Sequence, residues 1–345
     1  MYLFTDYFTP AQLTGYVRSA LADLPVNQFS LRRWLPTRLV PDLEYRYNKG
    51  SGGLTPAGQY RAYDAESPIG KRKGFERRSG SLPPLSEKIR LGEYDRLRIQ
   101  ANPDESIRDL ILSDAVTLAR KLEARAELAR ADALVNGSVT ISENGVVAAV
   151  DFGRNGSNQV TPGTVWSTTA TADPLGDLTT WVQYYVDLNG EPPGALVTST
   201  KVRGYMLRNA AIRALAGNLN GTPTILSVDA LQSALTAHDL PPIYTYDASY
   251  ENASGAATKV IPNTDVLLLP APVAPDDWEG TQLGATFWGN TAESLEPNYG
   301  LQGDEPGVVV GNYKVENPLG IWTNAAGISL PVLSNPDMSM RARVL

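Results

Sequence analysis

From Asn102 to Asn136 the chain carries the signals of one uninterrupted helix, and few folds accommodate so long a rod. Asn102 is an N-cap type, Pro103 suits the first helical position, and Asp104 and Glu105 complement the positive helix end. Apolar residues recur at Ile107, Ile111, Leu118, Leu122 and Ala129, the spacing of one helix face, so the first four are predicted to form its core stripe, with Ile111 and Leu118 facing a sheet made partly by the C-terminal strand. Asn136-Gly137 supplies a left-handed stop. At about 1.5 Å per residue the rod runs roughly 50 Å, well beyond an ordinary globular helix. Directly before it lies a basic, Gly/Pro-rich stretch with no means of forming a core alone. A rod beside an extended basic arm is the plan of a subunit that builds something larger than itself, as in shells and filaments.

Composition fits that plan. A chain of 345 residues has room for a sizeable core and two or three sub-domains, and 42% hydrophobic residues is ordinary for a soluble protein. Thirty Gly and twenty-five Pro without period predict many short elements and exclude collagen. No stretch approaches the ~18 apolar residues of a membrane span. The start, Met1-Tyr2-Leu3-Phe4-Thr5-Asp6, has neither basic region nor apolar core, so no signal peptide is expected. The absence of Cys rules out disulfides and thiolate chemistry and fits assembly in a reducing cytoplasm.

The net charge of −7 hides an asymmetry. Residues 1–130 hold 21 Lys/Arg against 16 Asp/Glu, whereas residues 131–345 hold 9 against 21. The basic excess gathers at Arg61, Lys71, Arg72, Lys73, Arg77, Arg78, Lys88, Arg90, Arg96 and Arg98. One reading is an arm that lies on the acidic body of a neighbouring copy. Another is a solvated loop. A third is nucleic-acid binding, which Tyr60, Tyr63, Phe75 and Tyr94 would serve by stacking but which a pI of about 5.0 disfavours.

Along the chain, Thr9-Pro10-Ala11-Gln12 is a capping box opening a short helix through Leu21. From Leu24-Pro25 to Glu44, Pro alternates with Leu35, Leu39, Val40 and Leu43, an extended arm. Leu43 to Tyr47 alternates like a strand, Asn48 to Gly58 is a turn, and Gln59 to Arg98 reads as a two-stranded excursion carrying the cations. Val139 to Val150 forms a hairpin about Asn144-Gly145. Asp173-Pro174 opens a helix with Leu178, Trp181, Val182 and Tyr185 on its apolar side and Asn189-Gly190 at its end. A buried strand at 195–198, a helix from Thr200 to Ala216, a helix capped by Ser227 and ending near His238, and strands at 243–246, 266–269, 283–288, 308–310 and 338–344 follow. Without strict βαβ alternation the class is α+β.

Chemistry is nearly absent from this pattern. His238 is the only histidine and reads as a helix end. Phosphate loops, nucleophile elbows and His-Glu-x-x-His are missing, and Asp276-Asp277 and Asp304-Glu305 lack calcium-loop spacing. Asn136-Gly-Ser138, Asn155-Gly-Ser157, Asn220-Gly-Thr222 and Asn252-Ala-Ser254 are turn chemistry rather than glycan sites. Trp166, Trp181, Trp288 and Trp322 are core or interface anchors. No catalytic residue, metal site or cofactor is expected.

The order of these elements resembles the tailed-phage major capsid fold, most closely the lambda-type head protein family. The segments that carry the likeness are Thr9–Leu13 with Phe29 to Trp34, Val150-Asp151-Phe152-Gly153-Arg154 leading to Thr164-Val165-Trp166-Ser167, Asp173-Pro174, and Asn335-Pro336-Asp337 before a final strand. The resemblance implies a non-enzymatic head protein forming hexamers and pentamers of an icosahedral shell around double-stranded DNA. It implies an N-terminal arm (1–43), an extended loop (44–100), a peripheral domain (101–172 with 307–345) around a spine helix, and an axial domain (173–306). A portal is a further partner, the presence of a decoration protein is left open, DNA is touched only non-specifically, and no membrane is involved. Because the arm begins almost at Met1, a separate scaffold protein is expected. The product is a virion component assembled in the host bacterial cytoplasm. Lys71 or Lys73 joined covalently to Asn312, Asn317 or Asn335 is disfavoured, since lambda-type shells rely on non-covalent clasps. A tail tube or sheath subunit would not need the rod after a basic loop, and an α+β enzyme would need a nucleophile–base pair.

Overall fold

The computed structural model describes residues 2–23, 29–50, 57–67, 69, 76–98, 103–215, 223–301 and 306–345. The expected cap Asn102, the cations Lys71, Arg72 and Lys73, Phe75, and the turns at 220–222 and 304–305 lie outside the described residues.

The spine helix runs Pro103–Asn136 and closes on Gly137, whose φ of +70° is the left-handed turn that a Cβ disfavours. Arg154 completes the stop by donating to the carbonyls of Leu134 (2.8 Å) and Val135 (2.7 Å), two of the groups a helix end leaves unpaired. Burial, and then repulsion from Arg341, pulls its guanidinium down to about 10, still charged at neutral pH.

The rod serves two cores. Its first two-thirds, through Ile107, Ile111, Ala115, Leu118, Leu122 and Ala126, packs with Leu13 and Val17 of helix Pro10–Asp23 against Val310, Ile321, Ala325 and Trp288 of a sheet. Its last turns, through Ala129, Ala131, Ala133, Leu134 and Val135, enter a second core shared with Leu196, Leu267, Leu268 and Met340. The four stripe residues read from the sequence are all buried, and small Ala at 115, 119 and 126 lets the sheet approach between them.

Among the described residues the first sheet has six strands, ordered Tyr2–Leu3, Val309–Glu316, Leu319–Leu333, Gly284–Gly289 and Thr37–Val40, with Pro84–Leu91 also paired to Leu319–Leu333. The strand Leu319–Leu333 is its axis, meeting 309–316, 84–91 and 284–289 in turn. The outer side of Val309–Glu316 is covered by the chain's own N-terminal segment, beginning with the short edge strand Tyr2–Leu3. Thr14 Oγ1 accepts from Val310 N (3.0 Å) and donates to its carbonyl (3.3 Å), Arg18 donates to Val308 O, and Phe4 N donates to Asn312 O.

The second sheet has five strands in the order Ile243–Thr245, Ala195–Thr198, Asp265–Leu269, Met340–Arg343 and Gln159–Val160. Helices Pro174–Asn189 and Val228–Ala237 contribute Leu178, Tyr185, Leu231 and Leu235 to the same core. Asp173 and Ser227 cap them as predicted, and the hairpin Ser138–Glu143/Val146–Asp151 turns on Asn144 and Gly145, both at positive φ.

Three expectations are corrected. The final strand, Met340–Arg343, pairs with Asp265–Leu269 and Gln159–Val160, so the sheet facing Ile111 and Leu118 is built by 309–333 instead. The helix expected from Thr200 to Ala216 breaks at Asn209, whose extended ψ of 133° ends Thr200–Arg208 and whose Oδ1 accepts from Ile212 N to begin Ala210–Leu215. The excursion's paired strands are Glu44–Lys49 and Glu76–Ser81, while Pro84–Leu91 belongs to the six-stranded sheet.

Where the rod passes from one core to the other, a buried ion cluster ties the layers. Glu127 and Arg130 are both fully buried, and Arg130 Nη1 donates to Glu127 (2.9 Å) and Glu123 (2.8 Å). Glu127 also accepts from Leu31 N (2.9 Å) and the Tyr246 hydroxyl (2.8 Å). Arg130 Nε donates to Thr286, whose hydroxyl donates to Leu35 O. Burial alone would lower Arg130, but the two carboxylates outweigh it and its shift is upward; burial and Glu127 together hold Tyr246 protonated.

Two substitutions test this architecture. Leu118→Ala should cost about 2–5 kcal/mol in urea unfolding, and Leu118→Asp should abolish soluble protein. Glu127→Ala, which leaves Arg130 buried with only Glu123, should cost about 3–5 kcal/mol, and Glu127→Gln clearly less because Leu31 and Tyr246 keep an acceptor.

Candidate functional site

The basic excursion begins as a strand pair whose two faces differ. In Glu44–Lys49 the side chains of Tyr45 and Tyr47 turn inward, with Tyr45 stacked on Phe287 at 6.0 Å, while Arg46 and Asn48 face out. The register sets Asn48 opposite Arg77 and Tyr47 opposite Arg78. Adjacent cations of one sequence cluster therefore point to opposite faces.

Arg78 is an internal anchor. It pairs with Glu76 at 3.1 Å and donates to the carbonyl of Asp151 at 2.8 Å, and the Glu76 hydrogen bond heads the causes that raise it further. Lys49 adds a bond to Gly153 O at 2.9 Å, so the stem is pinned to the turn after the 146–151 strand. Arg77 faces out and, among the described residues, makes no ion pair or hydrogen bond.

Beyond the stem, residues 57–67 are exposed throughout and form no strand, and Tyr60, Tyr63 and Ile69 are almost wholly accessible. Arg61 donates to Ala65 O at 2.7 Å, a bond inside its own turn. Of the six loop cations expected to act together, Arg61 and Arg77 present outward, Arg78 turns inward, and Lys71, Arg72 and Lys73 lie outside the described residues.

Two further arginines, Arg38 half-buried and Arg46 exposed, were not singled out from the sequence. Arg38 lies on Thr37–Val40 with its guanidinium 4.1 Å from the Trp278 ring, and Arg46 pairs with Glu44 at 3.3 Å. The outward position of Arg46 was legible in the alternation of 43–47, but its neighbourhood with Arg38 depends on which strands pair. Among the described residues no cluster of His, Asp and Glu suits a metal, and no helix is long and apolar enough to cross a membrane. His238 is an exposed helix C-cap.

A rod shared by two sheets, an arm across one of them and an excursion pinned at its base define a shell-building subunit with the tailed-phage major capsid fold. The family model described as phage major capsid protein E matches residues 32–344, and the chain belongs to that family. It is therefore a major capsid protein, a virion component rather than an enzyme. Similar solved structures include a prophage capsid protein of Escherichia coli CFT073, 15% identical, covering 98% of this chain and 99% of that one with a TM-score of 0.66. A phage-related protein of Bordetella bronchiseptica RB50 is also 15% identical, with 97% of each chain covered and a TM-score of 0.60. No curated protein matches the chain in sequence. The resemblance read from the order of elements is thus borne out.

The opposite roles of Arg77 and Arg78 are separable. Arg78→Ala should speed hydrogen exchange across 44–49 and 76–81, whereas Arg77→Ala should leave both the exchange pattern and the unfolding midpoint unchanged.

Proposed function

We propose that the chain assembles as hexamers and pentamers into an icosahedral shell that encloses double-stranded DNA. The observation that carries this reading is the excursion at 57–69. It places Tyr60, Tyr63 and Ile69 in water, covered by none of the described residues of their own subunit. Aromatic side chains so presented serve as anchors in a neighbour. Arg61, Lys71, Arg72, Lys73 and Arg77 add cations to the same element, against the acidic surplus of residues 131–345. Arg78 contributes indirectly, by holding the stem that aims the loop.

In this reading 1–43 is the arm, 44–100 the extended loop, 101–172 with 307–345 the peripheral domain, and 173–306 the axial domain at capsomer centres. A scaffold protein and a portal complete the particle. Assembly takes place in the host bacterial cytoplasm, and the enclosed DNA is held by charge without sequence preference.

Negative-stain microscopy of the purified chain, alone and with its scaffold, should show closed shells. Tubes would favour a tail or sheath subunit, and dispersed monomers under both conditions would refute shell formation. Boiled shells should run on a denaturing gel as one band near 37.2 kDa. A ladder would reveal covalent linkage between copies.

A further inference from the structure

The fold brings three arginines from two separate layers around one open cleft. Arg46 and Asn48 come from the first stem strand, Arg77 from the second, and Arg38 from the arm strand Thr37–Val40 of the six-stranded sheet. With Tyr47 and Ser334 they line a space of about 560 Å³. Gly50 N donates to Ser334 O at 3.2 Å, which fastens the stem beside that sheet and fixes the cleft's width.

Among the described residues no carboxylate lines this cleft. Arg38 is held by ring faces, Trp278 at 4.1 Å and Phe287 at 5.1 Å, an arrangement that orients a guanidinium without using its N–H edge. Arg77 has no partner among the described residues, and Arg46 has only Glu44, half exposed, at 3.3 Å. Three like charges gathered in one recess repel one another, so the arrangement favours an incoming anion with planar oxygens that guanidinium groups grip in pairs.

We infer that this cleft is a receptor for carboxylate side chains from the acidic body, residues 131–345, of a second copy of the chain. The inference rests on the shell reading above and names the partner surface for its outward cations. Charge complementarity favours protein carboxylates over DNA phosphates. The chain is itself acidic, with 21 Asp/Glu against 9 Lys/Arg in residues 131–345, so each copy carries the complementary charge at high local concentration.

The test uses DNA-free shells of the full chain. Labelling with an arginine-specific dicarbonyl, read by mass spectrometry, should modify Arg38 and Arg77 at least fivefold less in shells than in unassembled subunits. Shells co-assembled from normal and heavy-isotope copies carrying Arg77→Lys are then treated with a carbodiimide, which joins an amine directly to a carboxylate. Mixed-isotope peptides linking position 77 to an Asp or Glu of 131–345 are the expected result. Equal labelling in shells and subunits, links confined to one copy, or links only to residues 1–130 overturn the proposal. Protection that appears only in DNA-filled particles overturns it in favour of phosphate. If the unmodified chain forms no shells at all, the shell reading fails and takes this inference with it; normal shells with an unprotected cleft defeat the inference alone.

Discussion

Glu127 and Arg130 lie on neighbouring turns of the spine helix, both removed from water. Burying two charges is costly unless each finds further hydrogen bonds, and here those bonds come from every layer the helix touches. The arm supplies Leu31 N and, through Thr286, Leu35 O; the six-stranded sheet supplies Thr286; the loop after 243–245 supplies Tyr246. Any of these elements that drew away would leave a charge unsatisfied. The cluster therefore sets where the arm crosses the rod and how the two cores meet, a role that apolar packing alone, tolerant of small slips, fills less strictly.

With that junction fixed, the remaining joints follow from short polar contacts at chain turns. Arg154 stops the spine helix, and Asn155 N donates to Asp337 at 2.7 Å. Trp166 donates to Asp177 at 2.8 Å and stacks on Trp181 at 5.9 Å, while Tyr185 reaches Met338 O. Of the segments that carried the family resemblance, 150–154, 164–167, 173–174 and 335–337 thus lie at or next to these joints, while Thr9–Leu13 packs in the other core through Leu13. Their scattered positions reflect physical contacts between the turns that lock the fold. The stem of the excursion is built differently: Lys49 and Arg78 pin its inner face, and Arg77 on its outer face has no partner among the described residues.

The edge of the six-stranded sheet shows how a shell protein manages self-association. Val309–Glu316 would otherwise offer a row of free backbone groups to any other strand. Thr14, Arg18 and Phe4 occupy that edge from within the same chain. That cover removes indiscriminate strand pairing at this edge as a route of association between copies.

By itself the sequence determined the elements whose signals are local. The spine helix with its stripe, the hairpin on Asn144-Gly145, and the caps at Thr9, Asp173 and Ser227 each depend on residues within a few positions of one another. Element order then reached the family, because order survives where individual motifs are weak. Strand partnership was decided only by the tertiary structure. Leu319–Leu333 is broken up in sequence by Gly320, Gly327 and Pro331 and becomes a strand through its three neighbours. The final strand's place in the five-stranded sheet, the opposite faces of Arg77 and Arg78, and the meeting of Arg38 with Arg46 all follow from register and pairing. Those are set by long-range packing, where a shift of one residue reverses every side chain and no local signal records the choice.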